Sequence, residues 1–346
     1  SHTPLQNQQT CFTGSGLGPL SVITADFNAD NILDMAVTNY YTNNIGIFLG
    51  IGNGTFRSPK LYSINGINPY WITVADFNND NKNDLAVTSE FNNTVDIFIN
   101  NGNGTFWLKQ TYSSGGLLPS SIAAADFNND SITDLATANP GSSTMGVLLG
   151  IGNGTFRPPI IYLTDDHPTS VATADFNGDH KLDLAIVCRF SSAVNIFLGN
   201  GNGTFHSPAS YAVGHMCYHV IASDLNGDNK IDLAVANRND FTVSVLIGNG
   251  DGTFQSQQTY SAGDGASGVA IADLNGDNII DLAVENSLNN SISILYGNGD
   301  GTFRANQLHP VGASPQSIIA GDFNGDGRPD LAVPNMNDNT ISILLT

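Results

Sequence analysis

The sequence predicts an all-β, seven-bladed β-propeller with four-stranded blades, the last blade closed by the N-terminal strand. Three observations carry this expectation. An acidic string recurs at Asp26, Asp76, Asp126, Asp175, Asp224, Asp273 and Asp322, a period of 49 or 50 residues. Each period holds four short runs of strand-forming residues. The last period stops after three such runs, and a matching fourth lies at the opposite end of the chain.

Periods of this size belong to solenoids, propellers and arrays, and seven copies account for nearly all 346 residues. Residues 1–346 are therefore read as one propeller domain, although length alone favours two. In the third repeat, runs rich in Ile, Val, Leu, Phe and Thr alternate with Gly, Asn, Asp and Pro clusters and show no helical period. They place strand A at Ser121–Phe127, B at Asp134–Ala138, C at Thr144–Gly150 and D at Pro158–Leu163. Strand A ends on Ala25, Ala75, Ala125, Ala174, Ser223, Ala272 or Gly321. Side chains this small suit the innermost strand, where blades crowd toward the axis. Between C and D stands GNGTF, at Gly52, Gly102, Gly152 and Gly201, or GDGTF, at Gly250 and Gly299, read as a tight turn that accepts positive φ. After Asp322 only strands A to C remain. The segment QNQQTCF (Gln6–Phe12) precedes Asp26 as SQQTY (Ser256–Tyr260) precedes Asp273, so it is expected to complete the last blade and remove an open edge.

Eleven Lys and Arg stand against 31 Asp and Glu, a formal charge of −20, with 40% hydrophobic residues. So much apolar content excludes a disordered acidic chain, and the sign excludes nucleic acid as a partner. Of the 31 acidic residues, 21 fall in the seven repeated strings, three to each. Seven divalent cations would bring −20 to −6. No apolar run approaches the roughly 18–20 residues of a membrane span, and SHTPLQNQQT shows no signal peptide. Sequons at Asn53, Asn92, Asn103, Asn129, Asn153, Asn202 and Asn289 are a weak sign of secretion, and the expected location is extracellular or cell-surface. Of the three cysteines, Cys188 and Cys217 are expected at the tops of adjacent strands in blades 4 and 5, which leaves open a disulfide or two free thiols; Cys11 is the odd one.

The repeated string reads Asp-x-Asn-x-Asp-x-x-x-Asp without exception. Oxygen ligands at positions 1, 3, 5 and 9, with a backbone carbonyl at 7, suit a hard cation, and the absence of His and Cys from those positions argues against zinc. Calcium, which accepts six to eight oxygens in flexible geometry, fits better than magnesium, with up to seven ions, one per blade. The ligand sets are Asp26, Asn28, Asp30, Ile32 and Asp34; Asp76, Asn78, Asp80, Lys82 and Asp84; Asp126, Asn128, Asp130, Ile132 and Asp134; Asp175, Asn177, Asp179, Lys181 and Asp183; Asp224, Asn226, Asp228, Lys230 and Asp232; Asp273, Asn275, Asp277, Ile279 and Asp281; and Asp322, Asn324, Asp326, Arg328 and Asp330. A plain β-turn capped by its own Asp and Asn is the bland alternative. An EF-hand is a poorer match, since it needs a longer loop between two helices.

Together with turns such as YGNGDGTF (Tyr296–Phe303), these loops resemble FG-GAP/VCBS repeats, the family that forms the propeller of integrin α chains. The resemblance covers the chain from Gln6 onward. It implies a seven-bladed propeller, calcium in the loop between strands A and B, and a role in adhesion. At position 6 the family favours Gly, which only Gly327 matches; Asn31, Asn81, Ser131, His180, Asn229 and Asn278 fill the other loops. Ser131 and His180 take left-handed geometry least readily, so the third and fourth loops are expected to be the weakest sites.

Loops A–B and C–D are expected on one face of the ring and the more variable loops D–A and B–C on the other, the natural place for recognition. That second face should show Tyr40, Tyr41, Tyr70, Trp71, Glu90 and Phe91 near the first blades, and Asp165, Asp166, His167, Arg189, Phe190, His215, Tyr218, His219, Arg238 and Phe241 near the fourth and fifth. Aromatics with Arg are typical of binding hot spots. The leading expectation is a non-catalytic recognition module binding a protein ligand there. A lectin binding a glycan is the alternative, although no aromatic recurs on that face. A polysaccharide lyase or hydrolase using the histidines as acid and base is third, and no nucleophile motif accompanies them.

Overall fold

The computed structural model describes residues 6–346. Seven four-stranded antiparallel sheets form the ring, each in the order A-B-C-D. Blade 1 comprises Pro19–Ala25, Asp34–Asn39, Asn44–Phe48 and Lys60–Ser63. Blade 3 comprises Ser121–Ala125, Asp134–Asn139, Thr144–Leu148 and Ile160–Leu163, so the expected strands are present, with A, C and D each two residues shorter. Blade 7 takes Ile319–Gly321, Asp330–Asn335 and Thr340–Leu345 from the end of the chain and Gln6–Phe12 from its beginning, the last two paired antiparallel. The predicted closure is observed.

Strand order follows from burial. Strand B is buried at every residue in all seven blades, which matches its continuous apolar run. Strand D is the outer edge and alternates mostly exposed positions with a half-buried Tyr or His in most blades. The A strands of successive blades touch one another around the axis, as their small end residues require.

Each of seven apolar clusters belongs to two neighbouring blades; one joins Ala36, Ile45 and Ile47 of blade 1 to Ile72, Leu85 and Phe98 of blade 2. The GNGTF turn does more than reverse the chain. The amides of Gly54, Gly104, Gly154, Gly203 and Gly252 donate across to the carbonyls of Phe323, Phe27, Phe77, Phe127 and Phe176 in the preceding blade, at 2.8–2.9 Å. The turn phenylalanine packs edge-on against that same residue, as Phe106 does on Phe27 and Phe156 on Phe77, with centroids 5.4–5.8 Å apart in five interfaces. Gly104 is needed for its φ of +73°; a Cβ there would also come 2.8 Å from the Leu49 Cδ2 methyl of blade 1, which would have to move aside.

All three cysteines are free. Cys188 and Cys217 do lie on neighbouring blades, but the Cys217 thiol donates to the Cys188 carbonyl at 3.4 Å instead of joining its sulfur, so the disulfide option is not taken.

Removing one inter-blade ring tests the lock. Phe77→Ala should lower unfolding free energy by about 3–5 kcal/mol, read by denaturant titration, whereas Phe91→Ala on an exposed loop should change it by less than about 0.5 kcal/mol.

Candidate functional site

In every acidic loop the same network closes on itself. The position-1 carboxylate accepts the amide of residue 6 through Oδ2 at 2.6–2.8 Å. The Asn at position 3 accepts the amide of residue 5, and the Asp at position 5 accepts the amide of residue 7. Side-chain oxygens from positions 1, 3 and 5 thus all turn into one tight bend. Residues 4 and 6 both have positive φ. Ser131 at +63° and His180 at +62° adopt the same conformation as Asn31 at +62°, and their amides make the same bond to Asp126 and Asp175. The backbone of the third and fourth loops is therefore no different from that of the others.

Position 9 has a role that spacing did not announce. Asp34, Asp84, Asp134, Asp183, Asp232, Asp281 and Asp330 are fully buried. Oδ2 accepts the amide of position 2, and Oδ1 accepts an amide at the end of strand C, as Gly50 donates to Asp34 at 2.7 Å. In blade 7 the amide of Thr346 donates to Asp330 instead. Burial pushes these carboxyls up, to about 6 at Asp84, Asp134 and Asp281, against the pull of the two amides; the nearby carboxylates at positions 1 and 5 add to the rise.

The donor set fits a hard divalent cation in chemistry: carboxylate, amide and main-chain oxygens only. Among the described residues, Oδ2 of Asp30, Asp130 and Asp277 meets no partner, whereas Lys82 and Lys181 place an ammonium 2.9 Å from that atom of Asp80 and Asp179, and Lys230 lies 3.8 Å from Asp228. Among the described residues, no three carboxylate, imidazole or thiolate groups form a cage by themselves. The Asn oxygen and a backbone carbonyl would have to complete one. A bound cation would supply positive charge that offsets carboxylate repulsion.

The two faces are as expected: turns C–D rest on loops A–B, so loops B–C and D–A lie opposite. Trp71 and His219 depart from the expectation. They belong to strand A of blades 2 and 5 (Pro69–Ala75 and Cys217–Ser223) and stack inside the channel, ring centroids 5.3 Å apart, beside an apolar cavity of about 300 Å³. Burial lowers His219 to about 4, leaving it neutral. One residue earlier on the same strands, the Tyr70 and Tyr218 hydroxyls hydrogen-bond across the ring. A second cavity, of about 120 Å³, is lined by Tyr70, Glu90, His167, Thr169, Arg189 and Tyr218. The remaining candidates have local partners. Asp165 accepts from Asn195 and Ser210, Asp166 from Ser143, and His215 meets Asp240 at 3.1 Å. Tyr41, Phe91, Phe190 and Phe241 are exposed, and Arg238 lies 6.0 Å from the Tyr218 ring.

The FG-GAP-like repeat model matches residues 26–87, 76–137, 126–186, 224–284 and 280–333. The chain belongs to the FG-GAP-like repeat family. Its ring is similar to that of BBS1N, solved in complex with ARL6DN, at 11% identity and TM-score 0.68 over 99% of this chain and 96% of that one. It is also similar to virginiamycin B lyase from Staphylococcus aureus, at 13% identity and TM-score 0.69 over 98% and 99%. A candidate 6-phosphogluconolactonase from Bacteroides uniformis gives 18%, 0.65, 94% and 92%. At such identities the likeness shows the fold alone. None of the curated proteins compared with the chain matches it. Among the described residues, no helix is long and apolar enough to cross a membrane.

The buried aspartates of the FG-GAP loops, together with Glu285, which burial raises to about 8, favour the folded state of the metal-free protein at lower pH, while the buried His219, lowered to about 4, works against them. The folded chain takes up protons at Asp84, Asp134 and Asp281 near pH 6, the unfolded chain only near about 4. Between these values the folded state binds more protons, so stability falls as pH rises. In excess chelator the melting temperature should rise as pH is lowered from 7.5 to 5.5, checked by scanning calorimetry.

Proposed function

We propose that the protein is a calcium-held, non-catalytic recognition module acting outside the cell or at its surface. One observation carries this reading: seven loops repeat a single oxygen-rich geometry on one face, while the loops of the other face differ from blade to blade. Repetition of this kind suits a scaffold, and variation suits a surface that selects a ligand. The Asp at positions 1, 5 and 9, the Asn at 3 and the carbonyl at 7 would hold the cation. Its charge would relieve a ring that carries −20. Ligand recognition falls to the variable face, toward a protein or a glycan. Among proteins of similar fold, BBS1N is named with a protein partner, which supports the first, and a lyase shares the ring. The scattered partners of the histidines favour binding over catalysis.

Two measurements test the calcium. Saturating Ca²⁺ should raise the melting temperature at pH 7.5 by 10 °C or more and reverse the acid stabilisation seen in chelator; an unchanged melt would reduce the loops to ordinary turns. Calorimetric titration of Lys82→Met should show tighter binding at one site, about three-fold, because an ammonium no longer competes for Asp80.

A further inference from the structure

The cavity at the channel mouth holds an acid and a base that do not pair with each other. Glu90 and Arg189 both line it, yet no ion pair joins them within 4 Å, and Arg189 has no acidic partner at all among the described residues. Its Nε is buried without a hydrogen-bond acceptor. In a chain with 31 acidic residues, a guanidinium whose buried Nε–H meets no acceptor is an expensive arrangement. The cation is held in place by aromatic faces, 5.6 Å from the Phe190 ring and 5.4 Å from the Tyr218 ring, and Arg238 approaches the same tyrosine at 6.0 Å. Tyr218 is fixed in turn by Tyr70 from across the ring. At the other end, Glu90 accepts the Tyr40 hydroxyl on Oε2 at 2.7 Å, leaving Oε1 available.

The opening is about 120 Å³, room for the carboxylate end of a ligand and the few heavy atoms next to it, the remainder lying outside the cavity. A bare inorganic anion would satisfy Arg189 but face Glu90. A ligand with a carboxylate at one end and hydroxyl donors beside it satisfies both; the Thr169 and Ser120 hydroxyls at the cavity already donate to the Tyr218 and Thr169 carbonyls and keep lone pairs that can accept from a ligand hydroxyl. His167, which burial and Arg189 hold below its usual range, stays neutral and does not compete as a cation. We propose that this mouth is a subsite for a hydroxycarboxylate, a uronic acid residue in particular, with Arg189 binding the carboxylate as a fork and Glu90 accepting a sugar hydroxyl. The proposal rests on the recognition reading above and names the chemistry of its ligand.

Titration of the full chain in calcium buffer with sodium glucuronate, glucose, glycine and a short acidic peptide tests it, by calorimetry and saturation-transfer NMR. Glucuronate should bind at least ten-fold more tightly than glucose or glycine. Arg189→Gln should weaken it ten-fold or more with an unchanged melting temperature. If that variant fails to fold, Arg189→Lys, which keeps the charge and loses the fork, should show a loss of about three-fold or more. Glu90→Gln should weaken glucuronate while leaving acetate unaffected. A glucuronate-terminated oligosaccharide that binds more tightly than the monomer identifies a glycan end as the source; equal affinity identifies a free hydroxy acid. Equal binding of glucose and glucuronate, preference for glycine or the peptide, or indifference to Arg189→Gln overturns the subsite. A neutral glycan or a protein bound elsewhere on this face would then leave the recognition reading standing, and absence of any ligand on the face would remove both.

Discussion

A buried carboxylate in each blade is the constraint on which the rest depends. The last Asp of every loop is out of water and holds two backbone amides, one where strand A ends and one where strand C ends. A carboxylate in such surroundings is tolerated only if its oxygens are satisfied, and these amides are the groups that meet the need. The bond therefore fixes where strand A turns, where strand B begins and where strand C stops, by one atom pair each. Blades 2 and 7 show how strict the requirement is: where the other blades use a glycine, the amides of Asn100 and Thr346 fill the same place.

Blade geometry fixed in this way is passed around the ring by a second repeated contact. The position-2 residue of each loop is buried beneath the loop, and in five interfaces its carbonyl and ring receive the turn glycine and the turn phenylalanine of the next blade. Acidic loop and glycine turn are two halves of one joint. This leaves the joint face uniform and transfers the freedom to vary to the opposite loops. Charge follows the same division. Carboxylates crowd the uniform face, while Arg189, Arg238 and four tyrosine and tryptophan rings gather where the channel opens on the variable one.

The channel mouth is built by residues distant in sequence. Tyr70 and Tyr218, 148 positions apart, meet because blades 2 and 5 face each other across the axis. Their neighbours Trp71 and His219 stack one step deeper. The pair of contacts narrows the channel and turns its entrance into a small polar cavity.

The sequence by itself determined the blade count, the strand order and the closure of the last blade, because each rests on local period and composition: an acidic string every 49 or 50 residues, small residues ending strand A, and a missing fourth strand matched by Gln6–Phe12. It also marked the side chains at positions 1, 3 and 5 that turn into the bend, since position within a nine-residue string sets which side chains can face inward. The phenylalanines of the joint were visible as recurring letters in DF and GTF, but their pairing was not, because it joins one blade to the next and no local pattern reports which ring meets which. Only the tertiary structure decided that the last Asp is buried and bonded, that Ser131 and His180 follow the other loops, that Cys188 and Cys217 remain thiols, and that Trp71 and His219 lie inside the channel. The last two depend on closing the ring, which sets distances between segments that the chain separates by tens or hundreds of residues; the first two are settled within a blade, by bonds spanning 5 to 16 residues.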